Sequence, residues 1–356
     1  MNASQQNSFI AAPDDLILVT GAAGFIGYRV VNSLLNMGFR NLRCLTRPSS
    51  KTGGLNEVLR NHKDARVEVM AGNLLSPQDC AVIAKEVKVA FHLAAGKGEK
   101  SFPDAFLNSV ITTRNLLDAL VAQGTLRRFA NMSSFAVYKN TENPRGRLLD
   151  ESAPVDEAPE LRSNSYCFAK VEQDRLVMDY AKRFNIPYVL IRPGWVYGPG
   201  NSGIHGRVGI GTFGFFLHLG GGNTMPLTYV DNCADATVLA GLTKDVDGEV
   251  FNIVDDNLPT SRKFLRLYKR NVKKFGSIYV PHAVSYLLCR MWESYSKRSQ
   301  GQLPAAFNHR LWHVQWKRTR YSNAKLKSKV GWKPSVTTEE GLRRYFDYCR
   351  AGGANA

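Results

Sequence analysis

The sequence predicts an α/β protein: a doubly wound parallel sheet followed by a smaller, mostly helical C-terminal lobe. Three observations carry that expectation. Short apolar strands alternate with helical periodicities through the first half of the chain, the pattern of a sheet covered by helices on both faces. A glycine-rich turn joins the first strand to the first helix. The length, 356 residues, suits one extended α/β domain with an appended lobe better than two large domains.

Taken in order, residues 1–14 lack the basic start and apolar run of a targeting peptide and read as a flexible polar leader. Leu16-Ile17-Leu18-Val19 is a buried strand ending at Thr20-Gly21. A helix follows over about 25–37 and stops at Gly38, a residue that ends helices readily. Further strands are expected at 42–45, 67–70, 89–93, 128–132 and 188–191. Helices lie between them near 78–86, 104–123 and 164–184, the last closed by Pro187. These elements make a first domain over 15–195. The glycine-rich stretch 198–222 reads as a flexible loop over a cleft. A helix capped by Asp231 or Asn232 and running to about Leu242, then a strand at 249–254, return the chain to the first domain. The rest of 196–356 forms the second lobe, helical from Ser261. Within it, 278–292 is apolar, with Tyr279, Tyr286 and Trp292. That stretch is too short to cross a bilayer and reads as a core helix of the lobe in preference to a membrane anchor.

The composition, 44% hydrophobic and 22% charged with 30 Gly and 15 Pro, excludes collagen, coiled coil and global disorder. Mean hydropathy is −0.25 and no run of 18 apolar residues exists, so no membrane-spanning helix is expected. Six cysteines are scattered without metal-ligand or disulfide spacing, as in a cytoplasmic protein with reduced thiols and no metal site. Charge is unevenly spread. Residues 1–261 balance, whereas 262–356 hold 21 Lys+Arg against Glu293, Glu339, Glu340 and Asp347. Such a segment suits a phosphorylated substrate or peripheral contact with an anionic membrane. No nucleic-acid-binding signature accompanies it, so nucleic acid is not expected as a partner.

Thr20-Gly21-Ala22-Ala23-Gly24-Phe25-Ile26-Gly27 carries the first functional signal. Gly21, Gly24 and Gly27 permit a tight turn and close backbone approach, so that the following helix can face a pyrophosphate. A strand before it and a helix after it raise this motif above a chance glycine triplet. The second strand ends in Leu45-Thr46-Arg47-Pro48-Ser49-Ser50, without the carboxylate that would hold the ribose of NAD. Thr46 and Arg47 suit a 2′-phosphate, which favours NADP(H) with NAD(H) as the alternative.

Tyr166-Cys167-Phe168-Ala169-Lys170 is the second signal. On a helix, positions i and i+4 share a face, so the Tyr166 phenol and the Lys170 ammonium can enter one cleft. A nearby cation favours the phenolate and lowers the tyrosine pKa. Ser133-Ser134, ending the preceding strand, supplies a hydroxyl to orient a carbonyl or alcohol.

With these motifs the chain resembles the extended short-chain dehydrogenase/reductases of the NAD(P)-dependent epimerase/dehydratase family. The matching segments are TGAAGFIG, FHLAA, TTRNLLDAL, NMSSFAVY, YCFAK, IRPGWVYGPG and TYVDNCADA, with KLKSKVGWKP late in the chain. The resemblance implies a Rossmann-type sheet and an NAD(P)-dependent oxidoreductase or epimerase. It implies that Ser134 orients the substrate oxygen, that Tyr166 is the acid/base, and that Lys170 holds the nicotinamide ribose and lowers the Tyr166 pKa. Phe25 and Ile26 would accompany the glycines at the cofactor. Asn73, where many relatives have Asp, would lie with Leu74 beside the adenine. Leu93, Ala94 and Ala95 would line the cleft, and Pro193, Gly194 and Val196 would pass the nicotinamide. A homodimer is likewise implied.

Ser134-Phe135-Ala136 stands where the family's dehydratases carry Thr-Asp-Glu, so a 4,6-dehydratase is not expected. The leading reading is hydride transfer at a carbinol or carbonyl carbon of a nucleotide sugar, by a reductase or epimerase, with Arg207, Lys317, Arg318 and Arg320 meeting the diphosphate. A second reading is a 3β-hydroxysteroid-like dehydrogenase of a sterol or lipid alcohol, drawn from the apolar 278–292 segment amid positive charge. A third is a catalytically silent NADP-binding sensor, which the retention of Ser134, Tyr166 and Lys170 disfavours.

Overall fold

A computed structural model of the chain describes residues 8–96, 101–141, 146–212, 214–299, 302 and 307–352. Its centre is a seven-stranded parallel sheet. In chain order the strands are β1 (Ile17–Thr20), β2 (Asn41–Thr46), β3 (Arg66–Ala71), β4 (Val89–His92), β5 (Arg128–Met132), β7 (Tyr188–Pro193) and β12 (Val250–Ile253), with a short β6 (Leu148–Leu149) outside the sheet. Their spatial order is β12-β7-β5-β4-β1-β2-β3. The strands alternate as a two-sided sheet requires. Ile17, Val19, Val89, Phe91, Val189 and Ile191 enter one core, and Leu18, Ala90 and Leu190 enter the other. Helices α1 (Gly27–Asn36) and α7 (Val230–Leu242) pack together on the first face. On the second face lie α3 (Pro77–Ile83), α5 (Thr112–Gln123) and α6 (Ser165–Phe184). The order turns at β4-β1-β2, which opens a crevice at the carboxyl ends of those strands.

Several boundaries depart from the sequence reading. Residues 53–61 form a helix, α2, which the opening pair Gly53-Gly54 disguises in the sequence. The 104–123 helix is three pieces: α4 (Phe102–Phe106), a π turn over Leu107–Ile111, and α5. Residues 1–7 of the expected leader lie outside the described residues. Ser8 to Asp14, however, are docked: Ile10 N–H donates to the Leu242 carbonyl, Lys244 N–H to that of Ser8, and Ala11 is buried.

The 198–222 stretch is not simply a loop. Strands β9 (Gly209–Thr212) and β10 (Phe215–His218) make an antiparallel pair that β13 (Ser277–Tyr279) extends in parallel. A Cβ on Gly209 would sit 2.0 Å from the Leu217 carbonyl oxygen, so glycine there serves strand approach. Neither Asp231 nor Asn232 caps α7. Tyr229 occupies that position without a side-chain bond, Asp231 pairs with Arg29 at 2.9 Å, and Asn232 donates to Asp255 at 2.8 Å.

The lobe's core is aromatic. Tyr197, Tyr229, Phe264, Tyr268, Tyr345 and Phe346 pack between α8 (Ser261–Asn271) and α12 (Thr338–Arg350). The apolar 278–292 segment lies outside that core and divides: Val280, Tyr286 and Cys289 pack in a separate cluster with Leu219, Trp312 and Trp316, while helix α9 (His282–Arg298) turns Val284, Leu287, Leu288 and Met291 to solvent. Beyond α10 (His309–Trp316) and β14 (Arg320–Tyr321), helix α11 (Ala324–Val330) leaves the lobe altogether. Leu326 and Trp332 are buried in the core beneath the central sheet, so the segment assigned to the lobe from 196 onward contributes to both units.

Candidate functional site

The glycine turn is built as its spacing implies. Gly21 has φ +68°, a left-handed conformation that favours glycine, and a Cβ there would sit 3.0 Å from the Ala94 amide nitrogen. A Cβ on Gly24 would meet the Gly21 carbonyl oxygen at 3.0 Å, and one on Gly27 at 2.0 Å. The turn therefore folds back on itself with no room for side chains. Helix α1 begins there with no side-chain cap bond and no acid in its first turn. Tyr28 and Arg29 N–H turn back onto the Gly24 and Ile26 carbonyls at 3.3 and 3.1 Å, so it is the start of the helix at Gly27 and its positive dipole end that face an anion. That cradle fits a dinucleotide pyrophosphate. Ile26 packs on the sheet core, while the Phe25 ring lies against Gly200 and the Arg29 guanidinium.

The other expected contacts end neighbouring strands. Thr46 is buried and Arg47 exposed after β2, the Arg47 amide held by the Ser50 hydroxyl at 3.2 Å. After β3, Asn73 is exposed. Its side-chain oxygen accepts from Leu75 N–H at 3.0 Å and its own N–H donates to Asp79 at 2.7 Å, so Asp79 shapes this turn. Leu74 is buried and its carbonyl accepts from Asn115 at 3.0 Å. Leu93 and Ala94 are half-buried after β4, Ala95 is exposed, and Ala94 N–H donates to the Thr20 hydroxyl at 3.3 Å. Pro193 ends β7. Gly194 passes so close to Pro226 that a Cβ would meet its carbonyl oxygen at 2.2 Å, and the half-buried Val196 follows in β8 (Trp195–Tyr197).

Ser134, Tyr166 and Lys170 meet where β5 ends beside the first turn of α6. Asn164 starts that helix, its side chain accepting from Cys167 N–H at 2.8 Å. The structure separates the two serines. Ser133 donates to Asp174 at 2.8 Å within a buried group that includes Arg192 at 3.0 Å, and is consumed structurally. Ser134 is left beside the Tyr166 phenol. Burial holds that phenol above its usual range, partly offset by the Ser134 hydroxyl. Lys170 was expected to lower the Tyr166 pKa. Burial has the opposite effect and raises it, while the Lys170 ammonium is turned to the Met132 carbonyl and Gln173. Burial instead lowers Lys170 itself to about 8, with Asp174 opposing.

Sequence reasoning missed what stands behind Lys170. Its ammonium donates to the Met132 carbonyl at 2.6 Å and to Gln173 Oε1 at 2.8 Å. Gln173 donates to Thr113 at 2.7 Å, Thr113 meets His92 Nε2 at 2.8 Å, and His92 Nδ1 meets Thr20 at 2.8 Å. A buried polar chain thus runs from the ammonium to the glycine turn. Burial, with Lys170 adding to it, lowers His92 to about 3 and keeps it neutral. The only sequence signal was that Gln173 follows Lys170 by three residues, one helical turn.

The four expected substrate cations differ in what they touch. Arg207 lies near the site: it donates to the Val314 carbonyl at 2.7 Å and to the Tyr321 hydroxyl at 3.2 Å, and the Tyr321 ring stacks on Phe135. Lys317 is buried, bracing the Asn140 and Thr141 carbonyls at 3.0 and 3.1 Å. Arg320 is exposed and donates to the Gly146 carbonyl at 2.9 Å, and Arg318 is exposed. All six cysteines are free and buried, and no group of metal-binding side chains occurs among the described residues.

The profile of the NAD dependent epimerase/dehydratase family matches residues 17–254. A 3β-hydroxysteroid dehydrogenase/decarboxylase of Arabidopsis thaliana is 24% identical, aligned over 93% of this chain and 78% of that protein. A decarboxylating sterol-4α-carboxylate 3-dehydrogenase of Candida albicans is 25% identical over 93% of this chain and 97% of that one. The chain spans about half the length of a trifunctional UDP-glucose dehydratase, epimerase and reductase of the same plant, which it matches at 25% identity. Among solved structures, the UDP-glucuronic acid 4-epimerase of Bacillus cereus with UDP-glucuronic acid and NAD superposes at a TM-score of 0.69. Identity there is 22%, over 94% of this chain and 99% of that one, a likeness of fold.

Proposed function

The chain belongs to the NAD-dependent epimerase/dehydratase family, and on that premise we propose that it oxidises or reduces a secondary carbinol or carbonyl carbon. The observation that carries the reaction is the juxtaposition of Ser134, Tyr166 and Lys170 at the strand ends facing the glycine turn. The nicotinamide dinucleotide, when bound, supplies or accepts the hydride. Gly21, Gly24, Gly27 and the bare N-terminus of α1 would hold its pyrophosphate. Ser134 orients the substrate oxygen. Tyr166, kept protonated by its burial, gives a proton to that oxygen in reduction and recovers it in oxidation. Lys170 holds the ribose with the hydrogen-bonding capacity that Met132 and Gln173 leave it. The absence of an acid after β2 and the exposure of Arg47 support NADP(H) over NAD(H).

The substrate we infer is a sterol-like or lipid alcohol. A nucleotide sugar needs cations open to its diphosphate, whereas Lys317 is buried on the Asn140 and Thr141 carbonyls and Arg320 donates to the Gly146 carbonyl. Arg207, next to the Phe135–Tyr321 stack, favours the second reading of a nucleotide sugar taken by a reductase or epimerase. The absence of the dehydratase acids around Ser134 argues against elimination of water in either case. A panel of 3β-hydroxysteroids, UDP-glucose and UDP-glucuronic acid, followed by nicotinamide absorbance, separates the two. Turnover of the steroids alone is expected, and turnover of the UDP sugars alone would reverse the assignment.

A further inference from the structure

A helix of a folded domain ordinarily turns its apolar side inward and its polar side to water. Helix α9 departs from this. Towards the protein it presents the buried Ser285, Cys289, Glu293 and Ser296, with Tyr286 as the one large apolar side chain, edge-on to Trp312. Outward it presents Val284, Leu287, Leu288, Met291 and Tyr295, spaced three and four apart over three turns. Leu287, Met291 and Tyr295 each leave 60% of their surface open. Ile278 and Tyr279, just before the helix, are exposed as well. Cations border the stripe: Arg290 and Lys297 along one flank, Arg298 at its C-terminal end, all exposed. Glu293, the helix's only acid, is buried against His309 at 2.8 Å and meets the flanking Lys297 and Arg290 at 3.0 and 4.0 Å, one carboxylate against two cations.

We propose that α9 is a docking helix that lies in the headgroup layer of an anionic lipid bilayer, its apolar stripe inserted and its bordering cations on the headgroups. A bilayer supplies both an apolar interior and negative charge, the combination this face presents. A second copy of the chain fits less well. Two-fold pairing through α9 would lay the cations of one copy beside those of the other, in a segment that carries the chain's whole net charge of +17. Among the described residues no helix is long and apolar enough to cross a membrane, so the contact is with the surface. The inference is independent of the substrate reading, because a docked enzyme can act on a water-soluble compound.

The test is flotation of the full chain with phosphatidylcholine vesicles and with vesicles that also contain phosphatidylserine. Binding is expected to the second kind, weakened by salt, with each surface cation contributing about fivefold. The triple variant Leu287→Ser, Leu288→Ser, Met291→Ser should lose roughly tenfold or more in partitioning, because exposed apolar area is what it removes. NAD(P)H binding by the variant, unchanged, reports an intact fold. Failure of the wild-type chain to float at low salt overturns the proposal, as does a triple variant that floats equally well. A dimer in light scattering that the triple variant abolishes, with no flotation by either chain, assigns the stripe to a second copy instead.

Discussion

Replacing Gln173 with leucine should make Lys170 give up its proton at lower pH. The ammonium is buried and has two acceptors, the Met132 carbonyl at 2.6 Å and Gln173 Oε1 at 2.8 Å. Leucine fills similar space and removes the second. A hydrogen bond to a charged group contributes about 1.5–3 kcal/mol, and one pKa unit corresponds to ~1.36 kcal/mol. Lys170, already lowered to about 8 by burial, should therefore fall by roughly 1–2 units. Its folded value lies below the unfolded one, so the unfolded chain keeps this proton where the native chain has lost it. Stability accordingly rises with pH between the two values, and the variant extends that window downward. The functional readout is the alkaline limb of NAD(P)H binding and of kcat/KM, which reports the free enzyme. In the wild-type chain this limb should fall near the Lys170 value, and in Gln173→Leu it should move to lower pH. Gln173→Glu, which places a carboxylate against the ammonium, should move it the other way. A limb that stays put in both variants, whatever happens to the absolute rate, refutes the idea that Gln173 tunes Lys170.

Tyr166→Phe should lower kcat by about 10²–10⁴-fold with cofactor binding preserved, since one proton donor is lost and nothing else; near-normal turnover would place the chemistry elsewhere. Ser134→Ala should cost less, because orientation is lost but the proton donor stays. Arg47→Ala should weaken NADPH by roughly 10- to 150-fold and leave NADH almost untouched, as expected for loss of a charge-assisted phosphate contact; equal effects in paired titrations would remove the NADP preference. Acid should destabilise the fold through His92, held neutral by burial down to about pH 3 against an ordinary value of 6.5. As pH falls from 6.5 towards that value the unfolded chain takes up a proton that the native chain refuses, at a cost of ~1.4 kcal/mol per unit. Urea midpoints across that range should flatten in His92→Gln; an unchanged slope counts against a buried neutral imidazole.

The sheet was legible because its inner strands β1, β4 and β7 are short apolar runs, and because the glycine motif fixes where strand gives way to helix. Helix α2 escaped because Gly53 and Gly54 sit at its start, where their low helix propensity hides the Leu55–Val58 periodicity. The β9–β10 pair escaped because its glycines, read as flexibility, serve a close approach to the Leu217 backbone across the hairpin, which glycine content alone does not distinguish from a loop. At the site, Tyr166 and Lys170 are visible because one helix spaces them. The chain of Thr20, His92, Thr113 and Gln173 joins four separate elements, and no spacing in the sequence links such residues. For α9 the apolar content was legible but its direction was not. A period gives a stripe, and only the neighbouring elements decide whether that stripe faces them or the solvent.

The path of the C-terminus bears on how the protein is made. The layer around Val19 and Val31 is closed by Cys233 to Ile253 and then by Leu326 and Trp332, more than 300 positions downstream of the first strand. Synthesis at about 5–20 residues per second leaves β1 waiting roughly 15–60 s for Trp332 to leave the ribosome. Until then the nascent chain carries an open apolar face on one side of a half-covered sheet, a state that solicits a chaperone. A chain stopped before Trp332 would keep every residue of the catalytic constellation and still leave that face uncovered. Premature termination there should therefore be read out as aggregation before it is read out as lost chemistry.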